Sequence, residues 1–153
     1  VYAVRAQFEV AQPAAEVFAV LTDYDGIPRF LPDIRRSVVR GREGSRTTVE
    51  QEAVSSVMMF SRRVHLLLEI DESPDALVFR DTSGRSFERY EGAWRVSPAG
   101  EATLVRYELQ AKPAFPVPEF VLMRLFRRDS RETIRRIIAE IGRRARPVAF
   151  TSR

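Results

Sequence analysis

The chain has no cysteine and one histidine, His65. Disulfides and thiolate nucleophiles are therefore excluded, and a zinc site lacks its usual ligands. Only one of its 25 cationic residues is a lysine, Lys112. No apolar run approaches the roughly 20 residues needed to cross a bilayer. There is no phosphate-binding glycine loop, no Gly-x-Ser-x-Gly elbow and no dinucleotide fingerprint. Internal repeats, linkers and low-complexity tracts are also missing. The first residue is Val1 rather than Met, which reads as a processed or truncated end. A soluble protein that is cytoplasmic, or exported after loss of a signal peptide, fits equally.

What is present is an ordinary soluble balance: 153 residues, 44% hydrophobic and 30% charged. That length predicts one domain able to bury its own core. One long helix is expected over 119–145. Leu122, Phe126, Ile134, Ile137, Ile138, Ile141 and Ala145 recur mostly three or four apart and share a face, whereas Arg127, Arg128, Arg131, Arg135 and Arg143 fall elsewhere. Pro113, Pro116 and Pro118 mark its start; Gly142 and Pro147 mark its stop. Residues 119–146 carry nine arginines against four acids, so the rest of the chain sums to −1 and the whole to +4. Such a surplus either solvates the outer face of a helix or meets an anionic partner.

Residues 2–10 alternate in polarity as a one-sided strand does. Two short helices are expected next, at 13–21 and 27–31, separated by Thr22-Asp23-Tyr24-Asp25-Gly26. From Ile34 the period is two, and strands are expected at 34–41, 47–54, 62–71, 76–81, 87–96 and 103–112. Turn residues at 42–45, 72–75, 82–84 and 97–100 separate most of them, so neighbours should be antiparallel hairpins. Seven such strands should curl, and a straight helix over the concave face leaves space between them. That space is the candidate site.

The order of elements, with Leu21-Thr22-Asp23-Tyr24-Asp25, Pro28-Arg29-Phe30-Leu31-Pro32 and Tyr90-Glu91-Gly92-Ala93-Trp94-Arg95-Val96, resembles the polyketide cyclase/dehydrase family. That family lies within the START-like, or helix-grip (SRPBCC), superfamily, beside coenzyme Q-binding proteins and a ribosome-associated toxin. The resemblance covers nearly the whole chain. It implies an α+β helix-grip fold, with 1–147 as a single ligand-binding domain and 148–153 as a tail. It also implies an internal pocket for a lipid, quinone or polyketide-like molecule, with Phe30 and Leu31 on one side of the mouth and Phe120 and Met123 on the other. A fold of this kind hosts carriers and enzymes alike. A binding or transport role, a cyclase or dehydratase, and a module that meets the ribosome, nucleic acid or another anionic surface through the arginine-rich helix are therefore all carried forward. No cofactor is expected, and oligomeric state is not legible.

Strand parity supplies the inward set: Val64, Leu66, Leu68 and Ile70; Leu77 and Phe79; Tyr90, Trp94 and Val96; Val105, Tyr107 and Leu109. Among these Trp94, Tyr90 and Tyr107 could hold a ligand's polar end. Glu88 shares parity with Tyr90, which puts it near the pocket wall; if buried there its pKa would rise and suit it to proton transfer, whereas at the strand's end it would reach water or pair with an arginine. His65 falls on the outer face. Asp23 and Asp25 should shape a turn, and Glu50 and Glu52 share a strand face without further support for a paired role. Gly92 should mark a bend. The apolar stretches 57–60 and 120–126 either are plain core or lie near the mouth, where Met and Phe beside arginines suit a peripheral membrane contact or the accommodation of varied lipids.

Overall fold

The computed structural model describes residues 2–57 and 60–145. Met58 and Met59 of the apolar stretch at 57–60, Pro147 and the tail from 148 lie outside them. The alternating segments form seven strands: β1 (Tyr2–Val10), β2 (Ile34–Glu43), β3 (Arg46–Val57), β4 (Phe60–Glu72), β5 (Ala76–Asp81), β6 (Phe87–Ala99) and β7 (Ala102–Pro113). They make one antiparallel sheet in the order β1-β7-β6-β5-β4-β3-β2. From β2 onward each strand pairs with the next, and β1 closes against β7. The two edges, β1 and β2, are joined in sequence by α1 (Ala14–Leu21), a 3-10 turn (Tyr24–Gly26) and α2 (Ile27–Phe30). The last helix, α3 (Glu119–Ala145), contacts β1, β3, α1 and α2 and so bridges the concave face from edge to edge.

The hairpins are tighter than the turn residues predict. Gly44 and Gly100 sit at φ 60° and 65°, the left-handed conformation their turns need. Strand β6 runs through Pro98 and Ala99, which were expected in a turn. A proline is tolerated there because β5 ends its pairing at Arg95, so only β7 hydrogen-bonds this end of β6.

Strand parity holds for the core. Val64, Leu66, Leu68, Ile70, Leu77, Phe79, Val96, Val105, Tyr107 and Leu109 are all buried, and Tyr90 and Trp94 pack against them. On α3 the buried side chains include Val121, Phe126, Ser130, Ile137 and Ile141, with Leu122 and Ile134 partly covered. Full burial of Phe126, Ile137 or Ile141 contributes about 1.5–3 kcal/mol each. Ile138, expected on this face, is exposed instead. It lies about 100° around the helix from Ile137, beyond the seam that follows Phe126, Ser130, Ile137 and Ile141.

The 21–32 segment builds the fold. Tyr24 is buried; its hydroxyl donates to Glu72 Oε2, which also accepts from Thr47 Oγ1 at 3.1 Å. Burial, then the Glu72 carboxylate, pushes the Tyr24 phenol well above its usual range. Asp25 Oδ1 accepts the Val39 N–H at 3.1 Å. Asp23 pairs with Arg144 at 2.7 Å, tying the turn to the end of α3. Gly92 is needed for space: a Cβ there would fall on the Glu108 carbonyl oxygen and the Phe79 ring.

Candidate functional site

Between the concave face and α3 lies a cavity of about 330 Å³. Its sheet wall comes from Ala53, Val54, Val64 and Leu66 on β3 and β4 and from Phe87, Tyr90, Tyr107 and Leu109 on β6 and β7. The roof is α3, through Val121, Leu122, Leu125, Phe126 and the polar turn Asp129, Ser130 and Thr133. The 113–118 segment, with Phe115 under the Arg62 guanidinium at 3.6 Å, closes one side. Exposed lining residues, among them Pro32, Asp33, Ser61, Arg62, Pro116 and Pro118, mark the opening. Rings pack tightly around the floor: Phe87 lies 4.9 Å from Tyr90 and 6.1 Å from Phe126, and Trp94 lies 4.3 Å from Tyr107.

Polar side chains interrupt these apolar walls: buried Gln51, whose amide donates to the Ser37 hydroxyl at 3.3 Å, Glu132 and Arg136 toward the solvent side, and a group around Asp129. The Asp129 carboxylate accepts the Ser55 hydroxyl at 2.8 Å, linking α3 to β3. Burial raises the Asp129 pKa above the ordinary carboxylate range, with the Asp33 charge adding and the Ser55 bond and Arg128 opposing. Tyr90 is pushed up to about 12 by burial and then by the negative charges of Asp129 and Asp81. Tyr107 is raised well above its usual value, again by burial first, with Tyr90 and Asp129 adding. Both phenols therefore stay protonated near neutral pH and can donate a hydrogen bond. The arrangement offers an apolar molecule one end at which a hydroxyl or carbonyl can be held.

Of the residues singled out from the sequence, Leu31, Val64, Leu66, Tyr90 and Tyr107 converge on the cavity. Leu68, Phe79, Trp94 and Phe30 pack into the core rather than onto the void, Phe30 beneath Arg144 at 5.6 Å. Phe120 and Met123 face water and do not line the cavity. They occupy the outward side of the turn whose inward side is Val121, Leu122 and Leu125. Glu88 is not on the wall: its side chain is 56% exposed and pairs with Lys112 at 2.8 Å. The register shift between Phe87 and Arg89 is the reason, because the extra residue turns Phe87 inward and Glu88 outward. His65 lies on the outer face, 3.5 Å from Glu50, which also accepts from Arg40. Among the described residues no three His, Asp or Glu side chains gather as a metal site requires.

Asp129, Ser55 and Phe87 were not foreseen as cavity residues. For Asp129 a signal existed. The apolar stripe of α3 breaks between Phe126 and Ile134, and Asp129, Ser130 and Thr133 fill the break on the inward face. Polar residues on an otherwise apolar face mark a place where something polar must be met.

Residues 2–142 match the family described as polyketide cyclase / dehydrase and lipid transport. The chain belongs to this family. Solved structures with the same helix-grip fold include TTHA0849 from Thermus thermophilus, 24% identical with a TM-score of 0.82 over 95% of this chain and 100% of that one. The Zhui aromatase/cyclase from a Streptomyces species is 17% identical, with a TM-score of 0.81 over 95% and 96% of the two chains. A STAR-related lipid transfer protein from Xanthomonas axonopodis is 15% identical, with a TM-score of 0.72 over 92% and 85%. At these identities the likeness speaks for the shared fold. No curated protein matches the sequence. Within the family's fold, the Leu21–Asp25 and Tyr90–Val96 motifs that carry the sequence resemblance divide in role here: Tyr24, Asp25 and Gly92 hold the scaffold, and Tyr90 reaches the cavity.

Proposed function

We propose that this protein binds or carries a hydrophobic small molecule with one oxygen-bearing end, of lipid, quinone or polyketide-like character. The observation that carries the reading is the cavity of about 330 Å³, apolar on most sides and polar at Asp129, Ser55, Tyr90 and Tyr107. Its size falls at the lower end of small-molecule sites. Apolar walls supply affinity in proportion to the area removed from water, while the cluster orients the ligand by its oxygen. Purification without detergent, followed by organic extraction and mass spectrometry, tests this. A stoichiometric apolar compound is expected; an empty protein that takes up nothing from lipid or quinone extracts contradicts the reading.

A second reading, a cyclase or dehydratase, is favoured by the placement of Asp129. A carboxyl whose pKa is raised by burial, beside two protonated phenols, can move a proton to or from a bound chain. Product formation from a poly-β-ketone substrate that Asp129→Asn abolishes while binding persists would support it. Loss of binding alone, without turnover in the parent protein, supports the carrier.

A further inference from the structure

Phe120 is 63% exposed and Met123 43%, an unusual position for two large apolar side chains on a turn whose other side lines a cavity. They stand beside the opening, since Pro118, Val121 and Leu122 from the same stretch belong to its wall. The helical period continues their outward stripe into Arg127 and Arg131, both exposed and, among the described residues, in no ion pair. Acids stand here too, Asp33, Asp129 and Glu132 on the cavity lining and Glu119 at the start of α3, with Glu132 paired to Arg135 and Arg136; α3 as a whole, residues 119–145, carries eight arginines against four acids.

We propose that the rim of the cavity docks on an anionic lipid surface. Phe120 and Met123 enter the boundary between headgroups and acyl chains, Arg127 and Arg131 lie against the headgroups, and the opening faces the hydrocarbon from which a ligand would enter. An arginine stripe alone would meet RNA equally well. The apolar pair at its end, next to an opening into an apolar cavity, is what favours lipid. The proposal rests on the binding reading above, because an opening turned to a bilayer serves a ligand that lives there.

The test is flotation of the full chain with vesicles of phosphatidylcholine mixed with phosphatidylglycerol, and with phosphatidylcholine alone. Binding is expected to the mixed vesicles only, and to weaken as salt rises. Phe120→Ser with Met123→Ser should lower the partition about tenfold, and Arg127→Gln or Arg131→Gln about fivefold each. Melting temperatures should stay unchanged, because all four side chains are exposed. No binding to mixed vesicles, or binding that the serine pair retains in full, overturns the proposal. So does capture of single-stranded RNA, unaffected by the serine pair, in place of vesicles. A protein that yields an extracted ligand but never floats loses the docking proposal alone. One that floats yet carries and takes up nothing loses the carrier reading and keeps the docking.

Discussion

Burial holds the Asp129 carboxyl above the ordinary range, because the folded site solvates its charged form less well than water does. The sign follows from linkage: a raised folded-state pKa contributes stability at acid pH that is lost as pH rises through it. Asp129→Asn should therefore melt higher than the parent at neutral pH, with the difference closing as pH falls through the raised folded-state value and gone below the usual carboxylate range. The same change should weaken ligand retention about tenfold by removing a charged or acidic partner. A variant less stable at neutral pH, or unchanged in retention, would remove Asp129 from the site. Glu140 shows the opposite sign. Hydrogen bonds from Arg143, then Arg144, pull it down to about 2 against the cost of burial. Glu140→Gln should be destabilising at neutral pH, and the gap should close as pH falls toward 2, when the parent's carboxylate also takes up a proton; thermal melts across that range measure it.

The legibility of these residues differed for physical reasons. Tyr90 and Tyr107 were readable because strand alternation fixes which face a side chain takes. For Glu88 parity alone pointed to the pocket wall, and its alternative, a carboxylate that reaches water and pairs with a cation, is what stands there: one inserted residue at Phe87–Arg89 inverts the alternation locally, and such a bulge leaves no mark in a simple period-two count. Asp129 was passed over as one more helix charge, although its spacing from Phe126 places it on the inward face.

Among the elements, α3 was the most legible: prolines before Glu119 and the apolar spacing define a helix whose observed limits are Glu119 and Ala145. What the sequence could not convey is how that helix is fastened. Arg144 bonds Glu140 at 2.7 Å, Asp23 at 2.7 Å and the Ala19 carbonyl at 3.4 Å, joining the end of α3 to α1 and the turn that follows. The Glu140 pair is an ordinary four-residue helix spacing, but Asp23 and Ala19 are distant in sequence, so no local pattern announces those two contacts. Arg144→Met should cost about 1–2 kcal/mol, read as a lower denaturation midpoint with an unchanged slope. An unchanged midpoint would mean the fastening is only a surface contact. In the sheet, Gly92→Ala should be worse, about 3 kcal/mol, because the added carbon meets the Glu108 backbone as well as the Phe79 ring. A chemical denaturation curve close to the parent's would show that β6 and β7 can move apart there.

At the scale of the whole molecule, period-two segments, short hairpins and one amphipathic helix were enough to read a curved antiparallel sheet gripped by a helix. The cavity followed only as an expectation, since its existence depends on how far a straight helix stands off a curled sheet. Its opening was placed between Phe120, Met123 and the α2 side, whereas the first two face water beside it. The reason is that helix turns have two sides, and composition does not say which one a mouth will use. In a carrier of this design the ligand sits in the void between sheet and helix. Val64 lines it, so Val64→Trp directs added bulk into the empty space. The most direct measurement is native mass spectrometry of the parent and of Val64→Trp, prepared side by side without detergent and exposed to the same lipid and quinone extract. A hydrophobic adduct is expected on the parent, and a bare sequence mass on a variant that remains folded by circular dichroism. An adduct retained equally by both, or absent from both, would contradict that placement of the ligand.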